Sequence, residues 1–184
     1  MTRYARPMLS RRALLLWPPS LGLAAIGCGG GLTGRIPPSL KHSLAGMPAP
    51  DFRSKSAFSS EIIEVPGNPE YTLVTVVDFW ASWCEACIEA MPALEHLYRR
   101  NRDRGVHVVG VSVDEDPQSA MGTAMSLGTT FPIVIDQHGR IQGAYDVGKI
   151  PTTFVIDRNG LVRWVGRDPA MMEQAVDRLV AIQK

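Results

Sequence analysis

The stretch Val76-Val77-Asp78-Phe79-Trp80-Ala81-Ser82-Trp83-Cys84-Glu85-Ala86-Cys87 decides the fold of this chain. An apolar run with several β-branched residues leads directly into two cysteines that are separated by two residues. After Cys87 the sequence changes to a helical pattern. A C-x-x-C pair at the junction of a strand and a helix is the arrangement that a dithiol/disulfide redox centre needs. The stretch therefore predicts a redox centre at the end of a buried strand.

Composition limits what else the chain can be. Its 184 residues suit one ordinary domain with an appendage. The 19 Lys and Arg residues nearly balance the 18 Asp and Glu residues, and the net charge is +1. No part of the sequence is conspicuously basic, so nucleic-acid binding is not supported. Apart from Cys84 and Cys87 the chain has only Cys28, so stability must come from a packed core rather than from structural disulfides.

The first 27 residues have the layout of an export signal. A basic start precedes an apolar run, which is shorter than the roughly 20 residues of a membrane span and is interrupted by Pro18-Pro19. Ser10-Arg11-Arg12-Ala13-Leu14-Leu15 resembles a twin-arginine signal, although an ordinary secretory signal would look similar. We interpret residues 1–27 as a signal peptide.

Ala25-Ile26-Gly27-Cys28 resembles a bacterial lipobox, in which the cysteine becomes the lipidated start of the mature protein. Lipid attachment at Cys28 is therefore expected, and the alternative is a spare thiol near the mature start. Residues 28–46 are rich in Gly, Pro and Ser, which predicts a flexible tether. The alternative is a loop that packs on the domain. The folded domain is predicted at 47–184.

The folded domain alternates strand and helix patterns. Residues 71–80 form a nearly continuous β-branched run, which is typical of a strand buried on both faces. Residues 84–102 place apolar side chains at three- and four-residue steps, which predicts a helix that Pro92 should kink. Further strands are predicted at 60–65, 106–114, 131–136, 151–157 and 161–166, and further helices at 117–127 and 169–182. The order predicts an α/β fold with a mixed central sheet between helices, parallel where helices join the strands and antiparallel in the last hairpin.

From Met47 to its end the chain resembles the thioredoxin fold and, within it, the TlpA/ResA-like family of exported, membrane-tethered thiol–disulfide oxidoreductases. The pieces that carry the resemblance are Ala49-Pro50-Asp51-Phe52, Phe79-Trp80-Ala81-Ser82-Trp83-Cys84 with Cys87, the helix proline Pro92, and Gly148-Lys149-Ile150-Pro151-Thr152-Thr153-Phe154. The resemblance implies protein disulfide or dithiol substrates, a membrane donor of thiol electrons and no cofactor. It also implies a location at the periplasmic face of a bacterial membrane, with apocytochrome c as one possible substrate.

The chemistry assigns separate roles to the two cysteines. At the N-terminus of a helix, Cys84 should have a lowered thiol pKa and attack a partner disulfide. Cys87, one turn further along, would then resolve the mixed disulfide. Asp78 on the buried strand could exchange a proton with Cys87, and its alternative role is structural.

Four other residues are predicted to contact the substrate or to lie in the core. Trp83 is expected to form a contact surface beside Cys84, whereas Trp80 is expected in the core. Pro151, if cis, would leave the backbone of Ile150 free to pair with an extended substrate segment.

The residues between the cysteines bear on the direction of electron flow. Glu85 places a negative charge beside Cys84 and so opposes its thiolate, whereas strong oxidants stabilise their reduced form. Ala86 replaces the proline that is common between the cysteines in the family. The pair is therefore predicted to act as a reductant.

Three other functions are conceivable for this fold and cysteine pair. Thiol peroxidases on this fold carry Pro and Thr at fixed steps before the reactive cysteine, where this chain has Val77 and Ala81. A copper-delivery module would use the two cysteines as soft ligands and add a third ligand, usually His. The available histidines are His42, His96, His107 and His138, and none is a persuasive ligand, so no metal site is predicted. The intact cysteine pair argues against a redox-inactive interaction domain.

Overall fold

The computed structural model describes residues 35–183. The predicted signal peptide, Cys28 and the first part of the predicted tether lie outside the described residues. No helix within 35–183 combines the length and the apolar character that crossing a membrane requires.

Seven strands and four helices form the described part of the chain. The strands are β1 (Phe52–Lys55), β2 (Ile62–Val65), β3 (Val74–Trp80), β4 (Val106–Ser112), β5 (Ile133–Ile135), β6 (Thr152–Asp157) and β7 (Val162–Gly166). The helices are α1 (Glu85–Asn101), α2 (Pro117–Ser126), α3 (Arg140–Ala144) and α4 (Pro169–Ile182), and a 3-10 turn follows α1 at Arg102–Arg104.

A five-stranded sheet in the order β5-β4-β3-β6-β7 lies at the centre, and β1 and β2 form a separate antiparallel hairpin. Strand β4 is parallel to β3 and to β5, whereas β6 is antiparallel to β3 and β7. The predicted mixed sheet between helices is confirmed, and it is the thioredoxin-like arrangement.

Strand β3 is buried along its whole length because β4 and β6 flank it in the sheet and a hydrophobic core packs against each of its faces. Its side chains alternate between the two faces of the sheet. Val74, Val76 and Trp80 pack in the core with buried residues of α1, α2 and α4. Val77 and Phe79 pack in the opposite core, under α3 and the β1–β2 hairpin. By this alternation Asp78 belongs to the face that α1 covers.

Residues 35–46 differ from the flexible tether predicted for them, because they run along the edge strand β7. The amide of Leu40 donates to the carbonyl of Val165 at 2.7 Å, and that of Gly46 donates to Val162 at 2.9 Å. The indole Nε1 of Trp164 donates to the carbonyl of Pro38 at 3.1 Å. An edge strand offers unpaired backbone groups, and this segment satisfies some of them.

Two short elements were not predicted, namely β1 and α3, and β5 is shorter than the predicted strand at 131–136. The remaining strands and helices lie where the sequence predicts them. Pro92 lies inside α1, as expected.

Candidate active site

The two cysteines form a disulfide at the start of α1. Cys84 is the N-cap residue of the helix, and its Sγ accepts a hydrogen bond from the amide of Cys87 at 3.2 Å. Cys84 is partly exposed, whereas Cys87 is buried. A partner can therefore approach only the first sulfur, and the amides of the first helical turn point at it.

The loop before the cysteines is anchored by Asp114, a residue that the sequence reasoning missed. Its buried carboxylate accepts hydrogen bonds from the amide of Ser82 at 3.0 Å and from the Ser82 hydroxyl at 2.6 Å. The Ser112 hydroxyl donates to the same carboxylate at 2.8 Å. These bonds tie the loop between β3 and α1 to the end of β4, so they fix where Cys84 lies.

Asp78 is buried in the middle of the sheet, on the face that α1 covers. Its Oδ1 accepts a hydrogen bond from the Thr153 hydroxyl at 2.7 Å, across the β3–β6 pair. Burial raises the pKa of Asp78 to about 7, and the hydrogen bond from Thr153 opposes that rise. A carboxyl group with such a pKa can both accept and release a proton near neutral pH.

Gly110 is the β4 residue that pairs with Asp78. A Cβ atom at Gly110 would lie 2.7 Å from Cδ1 of Ile133 and 3.1 Å from Nε1 of Trp80. Side chains of β3 and β5 therefore fill the space over Gly110, and a larger residue would have to displace them. As a result, β4 presents no side chain that could pair with the carboxylate of Asp78.

The turn before β6 contains the cis peptide bond between Ile150 and Pro151. The Arg167 Nε donates to the carbonyl of Pro151 at 3.0 Å, and the Thr152 hydroxyl donates to the carbonyl of Lys149 at 2.6 Å. These two bonds hold the turn from both sides. Arg167 is a second positioning residue that no sequence pattern indicated.

Two open grooves meet at Ile150. The first has a volume of about 420 Å³ and separates α1 from the turn; its lining includes Ala86, Glu89, Ala90, Ile150 and Pro151. The second, of about 380 Å³, is lined by Trp83, Val113, Gln142, Gly148, Lys149 and Ile150. Trp83 is 69% exposed and Trp80 is fully buried. Trp83 and Ile150 thus line one groove, and Ile150 and Pro151 line the other beside the first turns of α1, the helix that Cys84 caps.

The predicted copper alternative needs a third ligand. Within residues 35–183 no group of three or more His, Cys, Asp or Glu side chains is placed to hold a metal ion.

Comparison with known proteins places this site in a family. Residues 45–165 match the model of the AhpC/TSA family. The chain belongs to the AhpC/TSA family. The thiol-disulfide oxidoreductase ResA of Geobacillus kaustophilus is 42% identical over 89 residues, which are 48% of this chain and 51% of that protein. ResA of Bacillus subtilis is 36% identical over 86 residues, or 47% and 48% of the two chains.

The matched segment spans about half the length of these curated relatives. Among solved structures, a thiol:disulfide interchange protein DsbE from Chlorobium tepidum is 28% identical, with a TM-score of 0.64, and the match covers 77% of this chain and 99% of that one. StoA from Bacillus subtilis is 23% identical with a TM-score of 0.61, and it covers 70% of this chain and 97% of its own. The predicted resemblance to ResA-like proteins and the thioredoxin-like fold are confirmed.

Proposed function

We propose that this protein is a thiol–disulfide oxidoreductase that reduces partner disulfides through Cys84 and Cys87. The observation that carries the proposal is the asymmetry of the pair. Cys84 caps α1 and is partly exposed, whereas Cys87 is buried one turn inward. An attacking thiol and a resolving thiol need these two environments.

The exchange proceeds in two steps. In the reduced protein the thiolate of Cys84 attacks one sulfur of the partner disulfide, the partner's S–S bond breaks, and its second sulfur leaves as a thiolate that takes up a proton. Cys87 then loses its proton and attacks Cys84 in the mixed disulfide. The first partner sulfur leaves as a thiolate and is protonated in turn. The partner gains two electrons and two protons, and the protein is left with the Cys84–Cys87 disulfide.

Asp78 is the group proposed to accept the proton of Cys87. Both residues lie between the sheet and α1, and the raised pKa of Asp78, about 7, allows the ionised form to take up a proton at neutral pH. The acid returns the proton as the site is reduced again. Water has little access to either group, because both side chains are buried.

The substrate segment is proposed to lie across Ile150 and against Trp83. Ile150 lies where the two grooves meet, so its backbone is placed to pair with an extended segment in either groove. Trp83 adds an exposed apolar surface on one of these grooves. Backbone pairing binds many sequences, so it suits a protein partner.

The proposed direction is reduction, with electrons supplied by a membrane thiol donor. Glu85 is exposed in the first turn of α1 and opposes the Cys84 thiolate. A measured reduction potential as high as that of strong oxidants such as DsbA, which is about −120 mV, would reverse the direction.

The proposed location is the periplasmic face of a bacterial membrane, with a lipid on Cys28 and apocytochrome c as a candidate substrate. The signal-like residues 1–27 and the lipobox-like sequence before Cys28 support this location. Mass measurement of the mature N-terminus tests it. An unmodified Cys28, or a mature chain that begins after it, would contradict lipid anchoring.

Trapping tests the exchange reaction and names the partner. A Cys87→Ala variant should accumulate a mixed disulfide between Cys84 and a cellular protein, and the matched Cys84→Ala variant should accumulate none. Equal trapping by both variants would contradict the assigned roles. Stoichiometric Cu(I) binding that abolishes thiol reactivity would favour copper delivery instead.

A further inference from the structure

A third groove borders the active site on the side of the N-terminal segment, and we call it the cationic groove. Its volume is about 470 Å³. It is lined by Leu40, Lys41, His42, Asp146, Val147, Gly148, Lys149, Thr152 and Arg167. Residues 35–46 help to build it because they lie against β7, so the groove depends on a segment that composition alone predicted to be flexible.

The cations of this groove form no ion pair with another described residue. Lys41, Lys149 and Arg167 are exposed, and none of them takes part in a salt bridge between described residues. The acid in the lining is Asp146, whose carboxylate accepts a hydrogen bond from the Ser43 hydroxyl at 2.8 Å. Asp168, next to Arg167 in sequence, caps α4 through its Oδ1. Three cations and one acid leave the groove with an excess of positive charge.

The cationic groove is continuous with the proposed substrate surface. Lys149 and Arg167 also line the groove beside Pro151, and Arg167 donates to the carbonyl of Pro151. Along an extended segment each residue advances about 3.3 Å. A side chain two to four residues from the partner's cysteine therefore lies about 7 to 13 Å further along, within reach of a neighbouring groove.

The first two turns of α1 carry the opposite charge. Glu85 and Glu89 are exposed on the first two turns of α1, and Glu89 lines the groove beside Pro151. Glu89 shares that groove with Lys149 and Arg167, whereas the cationic groove adds Lys41 and contains no glutamate. An acidic residue of the segment is therefore attracted toward the cationic groove and away from α1.

We propose that the cationic groove recognises an acidic side chain of the partner protein, located a few residues from the cysteine that Cys84 attacks. The proposal rests on the proposed thiol–disulfide exchange and adds a substrate class to it. An anionic membrane surface would also be attracted by these cations. The cationic groove shares Lys149 and Arg167 with the groove beside Pro151, so a protein segment that reaches the cysteines is the occupant that the geometry favours.

Reduction of matched peptides tests the proposal. The probes are mixed disulfides of one peptide with 2-mercaptoethanol, carrying Glu, Gln or Lys three residues from the cysteine. With the reduced protein at low ionic strength, the Glu peptide should react about fivefold faster than the Lys peptide, and the Gln peptide should lie between them. The ratio should approach one as salt is added, because salt screens exposed charges.

Charge reversal identifies the groove. Lys41→Glu should bring the Glu-to-Lys rate ratio to about one or below at low salt. The matched control is Lys55→Glu, which makes the same charge change on β1, outside the grooves described above, and should keep the wild-type ratio. Far-ultraviolet circular dichroism checks that both variants are folded.

Three other outcomes would contradict the proposal, and each has a different meaning. Equal rates for the three peptides would remove the acidic preference and leave the exchange reaction standing. No reduction of any peptide would refute the exchange reaction, and this proposal with it. Weaker binding of Lys41→Glu to phosphatidylglycerol vesicles, with the peptide ratio unchanged, would assign the groove to the membrane.

Discussion

Two buried aspartates near the active site differ in how their burial is compensated. Asp78 in β3 and Asp114 just after β4 are each 2% exposed. Asp114 accepts hydrogen bonds from the amide and hydroxyl of Ser82 and from the hydroxyl of Ser112. Among the residues that the structure describes, Asp78 accepts a side-chain hydrogen bond only from Thr153.

The difference gives the two carboxylates separate roles. Asp114 is structural, whereas Asp78 is the group proposed to exchange a proton. Several donors compensate Asp114 for the loss of water, so it can serve as a fixed anchor for the cysteine loop. One donor does not compensate Asp78, and its charged form is destabilised until its pKa reaches about 7. Residue type and depth are the same, and the two aspartates differ in the number of hydrogen-bond donors that compensate their burial.

The largest expected effect comes from removing the anchor. Asp114→Ala leaves the amide and hydroxyl of Ser82 and the hydroxyl of Ser112 without their acceptor. We expect the free energy of unfolding to fall by about 3 to 5 kcal/mol, as measured by urea denaturation. The control is Asp103→Ala, whose side chain is 90% exposed and which should change stability by less than about 0.5 kcal/mol. A loss below about 1 kcal/mol for Asp114→Ala would show that it is not an anchor.

Removing the charge of Asp78 should instead increase the free energy of unfolding. Between about pH 4 and pH 7 the folded protein keeps a proton on Asp78 that the unfolded chain releases, so the stability of the oxidised wild type falls as pH rises through this range. Above about pH 7 Asp78 is ionised in both states, so no further stability is lost. Asp78→Asn should therefore be the more stable protein at pH 8, by on the order of 4 kcal/mol at most, with little difference at pH 4. Parallel pH profiles of urea denaturation for the two proteins would contradict the raised pKa.

The hydrogen bond from Thr153 offers a smaller adjustment of the same group. Thr153→Val removes the donor that favours the ionised carboxylate, so the pKa of Asp78 should rise further, by about one pH unit. Thr153→Ser keeps the hydroxyl and should restore the wild-type value. Carbon-13 NMR titration of the Asp78 carboxyl group measures both variants. An identical titration midpoint in Thr153→Val and Thr153→Ser would rule out this role.

The comparison extends to a buried polar group that has no hydrogen-bond partner among the described residues. The hydroxyl of Tyr145 is buried and has no hydrogen-bond partner among the described residues. Tyr145→Phe should therefore raise the free energy of unfolding by about 1 kcal/mol, because an uncompensated polar group is removed without a change of shape. Thermal denaturation would detect the increase. A loss of stability would mean that the hydroxyl is satisfied.

Long apolar runs made most of the fold predictable from the sequence. The run at 71–80 predicts the buried strand β3, and the spacing after Cys84 predicts α1. The patterns also distinguish Trp80, which is fully buried, from Trp83, which is 69% exposed. These assignments depend on residues that are close together in sequence, so the spacing along one chain is enough to make them.

Features that depend on distant residues could not be predicted. Asp114 and Ser82 are 32 positions apart, and neither belongs to a local motif. The segment 35–46 has the composition of a tether, but β7 supplies hydrogen-bond partners more than a hundred residues away. The helix α3 has five residues, which is too short to show a helical period.

Single-turnover mixing of the reduced protein with a peptide disulfide tests the central claim most directly. Acid quenching and mass spectrometry at successive times would follow the covalent species. We predict an adduct on Cys84 that forms first and then decays as the Cys84–Cys87 disulfide and the free peptide thiol appear. An adduct on Cys87, or unreacted peptide disulfide beside a reduced cysteine pair, would contradict the account.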